Sequence, residues 1–291
     1  MNSCLKYFSA CLLGLLTQAA FAQVPDLGAA SGFAVLSAAP DGGGAVTCTD
    51  STIIGDVGSS GKPASVVQTR CKISGAIIAP VGDQVVDAFD KAYGDLKAVE
   101  KCTETFADTS LGDHTFKPGV YCFNAAVTET DAVWTLAGGA GDTWLFKIGT
   151  KEAGALTGTR FSVVMDGGGE ACDVYWWVDA AVTMTTSGFQ GTILAGAAIT
   201  ATGLANPTAP YNGNALAKAA VTLTNFTVTG CERGTPIQPQ KRCNQGVGNG
   251  PEGCDPGNSN QGNPFRSNDE VRELGTVPGS PGNPGRKGGN K

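Results

Sequence analysis

Apolar and polar residues alternate in short runs over residues 172–229, and two ten-residue runs in this stretch are nearly the same. The runs 191–200 and 213–222 share their glycine, leucine, three alanines and final threonine, and their starts are 22 residues apart. Repetition at a fixed period is typical of stacked architectures, in which each unit buries its apolar side against its neighbours. Both runs are short and rich in β-branched and small residues, so they predict the strands and tight corners of a β-solenoid. The alternative is chance similarity in a chain rich in alanine, glycine and threonine.

The spacing of apolar residues becomes helical over residues 80–102. Apolar side chains recur there at steps of three and four, with charged residues between them, at Val86, Phe89, Tyr93, Leu96 and Val99. This pattern predicts one amphipathic helix, with Asp83 as its N-cap. Its apolar stripe needs a partner, and we expect the helix to cover the flank of the β stack.

Further strands are predicted on both sides of this helix. Turn residues and β-branched or aromatic runs mark them at 27–39 (a strand pair), 52–58, 71–79, 117–123, 142–149 and 171–178. The aromatic run 171–178 is expected to carry much of the core. Residues 206–212, with two prolines and two asparagines, predict a surface insertion between coils.

Composition and charge exclude one large class of partner. The formal net charge is −6, the pI is about 4.8, and charged residues make up only 16% of the chain. Ordinary domains carry roughly 25% charged residues, so the surface is expected to be largely neutral. No basic stripe of the kind that binds phosphate backbones is visible, which argues against nucleic acid as a partner.

The chain divides into three segments. Residues 1–22 resemble a secretory signal, with Lys6 at the start, a short apolar core and Ala20-Phe21-Ala22 before the expected cleavage site. Residues 23–231 form the predicted solenoid domain. Residues 232–291 are rich in glycine, proline, asparagine and charge, so we expect a disordered tail. No run is long and apolar enough to span a membrane. We expect a secreted, extracellular monomer.

The cysteines indicate disulfides. Ten are present and two lie in the signal segment, so eight remain, an even number in an exported chain. Eight cysteines allow roughly a hundred pairings, and the sequence does not fix one of them. Proximity along the chain favours Cys48–Cys71, Cys102–Cys122 and Cys243–Cys254, which leaves Cys172–Cys231. A zinc site is disfavoured because no C-x-x-C is present and the chain has one histidine.

Catalytic and metal chemistry have little support in the residues. His114 is the one histidine, so Ser-His-Asp or Cys-His machinery has a single possible centre. Paired carboxylates of a polysaccharide-cleaving enzyme are conceivable among four neighbouring acids, namely Asp166, Glu170, Asp173 and Asp179. The acids of the tail lack the ordered spacing of a calcium loop. We therefore predict no catalytic residue, no metal and no cofactor.

Several separate segments together resemble the secreted ice-binding protein family of cold-adapted bacteria, fungi and algae. They are 27–36, 52–58, the helical Ala92-Tyr93-Gly94-Asp95-Leu96, 118–121, 144–149, 171–176 and both repeats, and they cover about residues 27–229 in the family's order. The resemblance implies a mainly β fold, a right-handed solenoid of triangular coils with one long helix packed alongside. It also implies adsorption to ice through one flat face, without a cofactor.

The family's ice face often carries a Thr-(Ala/Gly)-x-(Thr/Asn) pattern, and the matching positions here depart from it. The pattern ends in Arg at 157–160, loses its final threonine at 185–188 and runs into the insertion at 202–205. We predict that the face contains Thr157, Thr159, Thr185, Ser187 and Thr202. The departures predict a weak ice binder, or a solenoid without the activity. The competing function is an adhesion or matrix protein, which would expose aromatic residues such as Trp134, Trp144 or Trp177.

Overall fold

The computed structural model describes residues 25–204 and 210–231, in which 24 short strands wind around one axis. Before the helix lie β1 (Phe33–Ser37), β2 (Val46–Thr49), β3 (Thr52–Ile54), β4 (Asp56–Ser59), β5 (Val66–Thr69), β6 (Lys72–Ile73) and β7 (Ile77–Ile78). The helix is α1 (Asp83–Ala98). After it lie β8 (Glu104–Phe106), β9 (His114–Phe116), β10 (Gly119–Phe123), β11 (Val127–Thr130), β12 (Val133–Gly138), β13 (Trp144–Ile148), β14 (Leu156–Thr159), β15 (Ser162–Gly167), β16 (Val174–Val178), β17 (Val182–Thr185), β18 (Phe189–Gln190), β19 (Thr192–Ala195), β20 (Ile199–Thr202), β21 (Tyr211–Asn212), β22 (Ala215–Ala217), β23 (Val221–Thr224) and β24 (Thr227–Thr229).

The strands form the three faces of a β-solenoid, and every strand pair is parallel. The first face is a nine-stranded sheet in the order β7-β4-β1-β22-β19-β16-β13-β10-β8. The second is a seven-stranded sheet in the order β11-β14-β17-β20-β23-β2-β5. The third consists of a five-stranded sheet, β18-β21-β24-β3-β6, and a three-stranded sheet, β15-β12-β9. Successive strands of the chain move from face to face, so each circuit adds one coil.

The coils do not stack in the order of the chain. The first coil packs against the last one, since β1 pairs with β22, β2 with β23 and β3 with β24. The stack therefore ends at β5–β7 on one side and at β8–β11 on the other. Helix α1 connects these two ends. Its 16 residues span about 24 Å, which is the height of about five coils at ~4.8 Å each.

The near repeat in the sequence corresponds to two neighbouring coils. Ile193 lies beside Ala215, and Ile199 lies beside Val221, so pairs separated by 22 residues occupy the same position in adjacent coils. The shared glycines at the start of the two runs both have positive φ, 112° at Gly191 and 147° at Gly213. A glycine is favoured at such a corner because a Cβ there is strained.

Large aromatic rings fill the middle of the solenoid. The ring of Trp176 lies 4.1 Å from that of Phe146, 4.6 Å from that of Phe189 and 6.0 Å from that of Trp134. All four side chains are buried. The Nε1 group of Trp176 donates a hydrogen bond to Gln190 O at 2.9 Å, so the polar atom of this ring is satisfied. The run 171–178 therefore contributes to the core as predicted, through Val174, Trp176 and Val178.

Helix α1 packs against the nine-stranded face, as its apolar stripe predicts. Its buried residues are Val85, Phe89, Ala92, Tyr93 and Leu96. The ring of Tyr93 lies 5.4 Å from that of Trp177, which points away from the solenoid interior on β16. Burial raises the pKa of Tyr93 well above its usual range. The predicted N-cap is wrong, because Gly82 is the N-cap and Asp83 is the first helical residue. Asp83 still complements the helix dipole from the first turn.

The carboxyl end of α1 is held by Lys147 from β13. This side chain is only 4% exposed, and its Nζ donates hydrogen bonds to Lys97 O, at 2.9 Å, and to Val99 O. A cation at the end of a helix satisfies carbonyl groups that lack partners within the helix. Burial lowers the pKa of Lys147, because desolvation disfavours the charged form.

This burial predicts a specific pH dependence of stability. The lowered pKa means that the unfolded chain binds more protons than the folded one between the two pKa values, so the contribution of Lys147 to stability rises with pH there. We expect the unfolding free energy of the wild type to increase relative to that of Lys147→Met as the pH approaches the ordinary lysine pKa of about 10.4. Urea unfolding of both proteins from neutral to alkaline pH measures this difference. A constant or decreasing difference contradicts it.

Glu129 closes one end of the stack. It occupies an inward position of β11 and is fully buried. Its carboxylate accepts hydrogen bonds from Leu111 N at 2.6 Å, and from Gly112 N and Ser110 Oγ, both at 3.1 Å. The segment 109–112 thereby covers the last coil, which protects the free edge of β11.

Removing this carboxylate is expected to destabilise the fold. Glu129→Ala leaves three hydrogen-bond donors without their acceptor. Each donor left unsatisfied lowers the free energy of unfolding by about 1–3 kcal/mol. Denaturant unfolding should therefore show a midpoint well below that of the wild type. Glu152→Ala is the control, because Glu152 is exposed and far less stability depends on it. Equal midpoints for Glu129→Ala and the control would contradict this role.

Three disulfides join Cys48 to Cys71, Cys102 to Cys122 and Cys172 to Cys231. These are three of the four pairs favoured by the sequence. The fourth, Cys243–Cys254, lies outside the described residues, as do the signal segment 1–22 and the tail 232–291. Among the described residues no helix is long and apolar enough to cross a membrane.

Two local predictions are wrong. Residues 27–39 contain one strand, β1, preceded by the 3₁₀ helix Gly28–Gly32, instead of a strand pair. The predicted insertion 206–212 ends too late, because Tyr211 and Asn212 form β21 and Tyr211 is buried. The Tyr211 hydroxyl donates to Asn214 O at 2.7 Å, which compensates its burial. An aromatic residue between asparagine and proline carries no local sign of a core position.

Candidate functional site

The seven-stranded face carries a regular array of threonines. Six of its strands share the pattern aliphatic-Thr-x-Thr, in which the first and third residues point inward and the threonines point outward. The alternation follows from the pleat of a strand, which sends successive side chains to opposite sides. The aliphatic residues anchor each strand in the core, so the threonines are fixed on the outside.

Neighbouring strands pair in register without a bulge, so the outward residues align in two columns. The first column is Thr128, Thr157, Thr183, Thr200, Thr222, Thr47 and Val67. The second column is Thr130, Thr159, Thr185, Thr202, Thr224, Thr49 and Thr69. We call these fourteen positions the threonine lattice. Thirteen are threonine, and the single exception, Val67, keeps the branched Cβ and its methyl group but carries a second methyl in place of the hydroxyl.

The lattice is spaced by the geometry of the backbone. Rows from successive coils are about 4.8 Å apart, and the two columns are about 6.7 Å apart. Branching at Cβ restricts χ1 of threonine, so each methyl and hydroxyl group holds a defined place. No outward position of the lattice is charged. The surface is therefore a stiff, neutral grid of methyl and hydroxyl groups.

One border of the lattice is formed by the corner residue that follows each second-column threonine. In six of the seven corners the backbone N–H donates to the neighbouring coil, for example from Asp131 N to Thr159 O at 3.0 Å and from Thr186 N to Thr202 O at 2.7 Å. Six corners have left-handed φ of 49–56° and carry side chains, at Asp131, Arg160, Thr186, Asn225, Asp50 and Arg70. The remaining corner is Gly203.

Two bidentate ion pairs lie on this border. Arg160 pairs with Asp131 and Arg70 pairs with Asp50, with Nη2–Oδ2 distances of 2.6 Å and 2.7 Å. The hydrogen bond from each guanidinium lowers the pKa of its aspartate, because it stabilises the ionised carboxylate. The pairs are exposed, and each carries no net charge.

The lattice brings together four of the five face residues that the sequence predicts. Thr157, Thr159, Thr185 and Thr202 all lie in it. Ser187 does not, because it is 1% exposed and lies inside a corner. Its Oγ donates to Thr185 O at 3.1 Å and accepts from Phe161 N at 3.3 Å, so it fixes the corner and is not part of the surface.

Nine lattice threonines were missed by the predicted set. They are Thr47, Thr49, Thr69, Thr128, Thr130, Thr183, Thr200, Thr222 and Thr224. The pattern that starts at Thr185 and at Thr202 is placed two residues too late, since the strands present 183–185 and 200–202. The recurring aliphatic-Thr-x-Thr sequence is the signal that identifies these residues. The residues that depart from the family pattern after Thr185 and after Thr202 lie beyond the ends of these strands, so they do not interrupt the lattice.

Within residues 25–204 and 210–231, the other faces carry no comparable array. The nine-stranded face is covered in part by α1, and the third face mixes exposed apolar and charged residues, including Ile54, Val133, Val164 and Asp166. The aromatic residues that an adhesive surface would expose, Trp134, Trp144 and Trp177, are buried. His114 lies on β9 with its ring 4.4 Å from that of Phe116. Among the described residues no group of three or more His, Cys, Asp or Glu is placed to hold a metal ion.

Comparisons with known proteins agree on one family. The model of the ice-binding-like family matches residues 41–229. A solved ice-binding protein from the Antarctic ascomycete Antarctomyces psychrotrophicus is 33% identical, and the match covers 70% of this chain and 97% of that one, with a TM-score of 0.58. An ice-binding protein from an Antarctic biological consortium is 28% identical over 72% of this chain and 92% of that one, with a TM-score of 0.60.

A third similar structure supports the fold alone. It is an antifreeze-active ice-binding protein from an Arctic yeast, 22% identical over 74% of this chain and 98% of that one, with a TM-score of 0.61. No protein with a curated description matches the chain.

Proposed function

The chain belongs to the ice-binding-like family, and we propose that it is a secreted protein that adsorbs to ice through the threonine lattice. Adsorbed protein inhibits the growth or recrystallisation of ice, because the crystal must advance between the bound molecules. The resemblance of residues 1–22 to a secretory signal and the disulfides support export, since disulfides persist in oxidising compartments.

The continuity of the lattice carries this proposal. A seven-row grid of stiff, neutral hydroxyl and methyl groups can hold a layer of ordered water without first ordering its own side chains. Binding by a preorganised surface avoids the entropic cost of immobilising flexible groups. Since the rows follow the strand spacing, each added coil extends the grid by one row without changing its geometry.

Hydroxyl and methyl groups have different tasks on such a surface. The hydroxyl of each threonine donates and accepts hydrogen bonds, so it can replace a water molecule in the adsorbed layer. The methyl group beside it forms no hydrogen bond. Water molecules between the rows therefore hydrogen-bond to one another around the methyl groups and are not bound tightly by the protein. A charged side chain at these positions would orient water around itself and disturb that order.

Ice growth in the presence of the purified protein tests the proposal. We expect single crystals held just below the melting point to become faceted, and recrystallisation of polycrystalline ice to slow, as the concentration of residues 23–291 increases. Crystals that grow as unfaceted discs at high protein concentration would contradict the function. Bovine serum albumin at the same mass concentration controls for non-specific effects of protein.

A further inference from the structure

We propose that the ion pairs Asp131–Arg160 and Asp50–Arg70 are end clamps, positioning residues that keep the outermost rows of the threonine lattice in place. Each pair connects the corner of a terminal coil to the corner of the next coil, from β11 to β14 and from β2 to β5. The inference rests on the proposed function, because its consequence is better adsorption to ice at the two ends of the lattice.

The distribution of the pairs indicates this role. The corner column reads Asp131, Arg160, Thr186, Gly203, Asn225, Asp50 and Arg70 in the order of the coils. The ion pairs occupy the two terminal steps of the column, and the three corners between them are uncharged. Interior rows have a hydrogen-bonded neighbour on both sides, whereas β11 and β5 each have a strand partner on one side only.

Backbone conformation adds a second argument. Arg160 and Arg70 have φ of 50° and 51°, in the left-handed region that glycine and asparagine adopt at low cost and that arginine rarely adopts. Asn225, with φ of 51°, shows that the same left-handed corner accepts a favoured residue. Arginine at the terminal corners therefore carries backbone strain that the fold does not require.

An increase in overall stability does not explain that strain. The side chains of Arg160 and Asp131 are 57% and 60% exposed, and those of Arg70 and Asp50 are 72% and 31% exposed. Solvent-exposed ion pairs of this kind contribute little to the free energy of unfolding. Their benefit must then be local, and the planar, bidentate contact is suited to fixing the relative position of two corners.

The corner is the right place for such a tie. Asp131 directly follows Thr130, and Arg70 directly follows Thr69, so each clamp holds the residue next to a second-column threonine of a terminal row. Terminal units of a stack open more readily than interior ones because they lack one neighbouring strand. The segment 109–112 covers β11, and the disulfide Cys48–Cys71 joins the coils of β2 and β5, so each clamp adds to an existing restraint at the corner itself. The neutral pair restrains the row without placing a net charge beside the lattice.

The test replaces each arginine with glycine, which removes the clamp and the backbone strain together. For Arg160→Gly and Arg70→Gly we expect an unchanged or higher unfolding temperature, but an ice-growth inhibition about twofold lower, because a terminal unit without its tie opens more often. Amide exchange should accelerate at 128–131 in the first variant and at 67–70 in the second. Thr186→Gly relieves the same strain at an uncharged interior corner, so it is the matched control and should retain wild-type ice activity and exchange.

The following results would contradict the proposal that the ion pairs act as end clamps. Wild-type exchange rates in both arginine variants would show that the terminal rows are held without the pairs. A markedly lower unfolding temperature would show that the pairs support the whole fold. Full ice activity in Asp131→Gly/Arg160→Gly, together with a loss in Arg160→Gly, would show that a lone carboxylate harms adsorption and that no tie is needed. If the wild type lacks ice activity, the proposed function fails, and the exchange measurement still decides for or against the clamp.

Discussion

Thr200→Tyr is expected to remove most of the ice activity while the fold stays intact. Thr200 lies in the fourth of the seven rows, between Thr183 and Thr222, so a tyrosine there stands above the centre of the lattice. A protruding ring keeps a flat crystal surface away from the threonines around it. A loss of ~1.4 kcal/mol in adsorption free energy lowers the activity about tenfold. Ice-growth inhibition at equal protein concentration measures the effect.

A matched substitution on another face separates this effect from general damage. Thr115 is an exposed strand threonine of β9, outside the lattice. Thr115→Tyr should keep wild-type activity, and both variants should keep the wild-type circular-dichroism spectrum and unfolding temperature, because both side chains point outward, away from the core, and substitutions at such positions change stability little. Equal activity of the two variants would show that the threonine lattice is not the ice-binding surface.

Trp176→Ala is expected to cause the largest loss of stability. Trp176 is buried among Phe146, Phe189 and Trp134, and its indole N–H bonds to Gln190 O. Truncation leaves a large cavity in the solenoid interior, and buried Trp→Ala changes cost about 3–5 kcal/mol. Chemical unfolding followed by circular dichroism measures the change. If the alanine variant does not fold, Trp176→Phe should still lower the midpoint, because it removes the hydrogen bond and part of the ring volume.

The neighbouring residue provides the control. Trp177 points to the opposite side of the same strand, and its buried Nε1 has no hydrogen-bond partner. Trp177→Phe removes this unsatisfied donor and keeps an aromatic ring beside Tyr93, so it should change stability much less than Trp176→Phe. Equal losses in the two phenylalanine variants would contradict the assignment of Trp176 to the main core.

The local pattern predicts the elements of this fold well, because each element has its own period. The stripe from Phe89 to Leu96 defines the helix without knowledge of its partner. The spacing of Cys48 and Cys71, 23 residues apart, suits a solenoid because one circuit returns the chain to nearly the same place. Even the neighbouring coils at 191–200 and 213–222 are visible as a sequence repeat.

The composition of the lattice is harder to predict, because it depends on which coils are neighbours. Thr47 and Thr49 align with Thr222 and Thr224, although about 175 residues separate them, since the first coil packs on the last. Nothing in the local sequence shows that contact. Ser187 shows the opposite difficulty: its position after two threonines suggests the surface, but the left-handed corner at Thr186 turns its side chain inward.

Partition of the protein into growing ice tests the central claim most directly. Ice is grown slowly from a dilute mixture of the wild type, Thr200→Tyr and Thr115→Tyr, each with a distinguishable label, and the protein content of the ice and the remaining liquid is measured. The account predicts that the wild type and Thr115→Tyr enter the ice and that Thr200→Tyr stays in the liquid. Exclusion of all three from the ice, or entry of Thr200→Tyr together with the others, would contradict it.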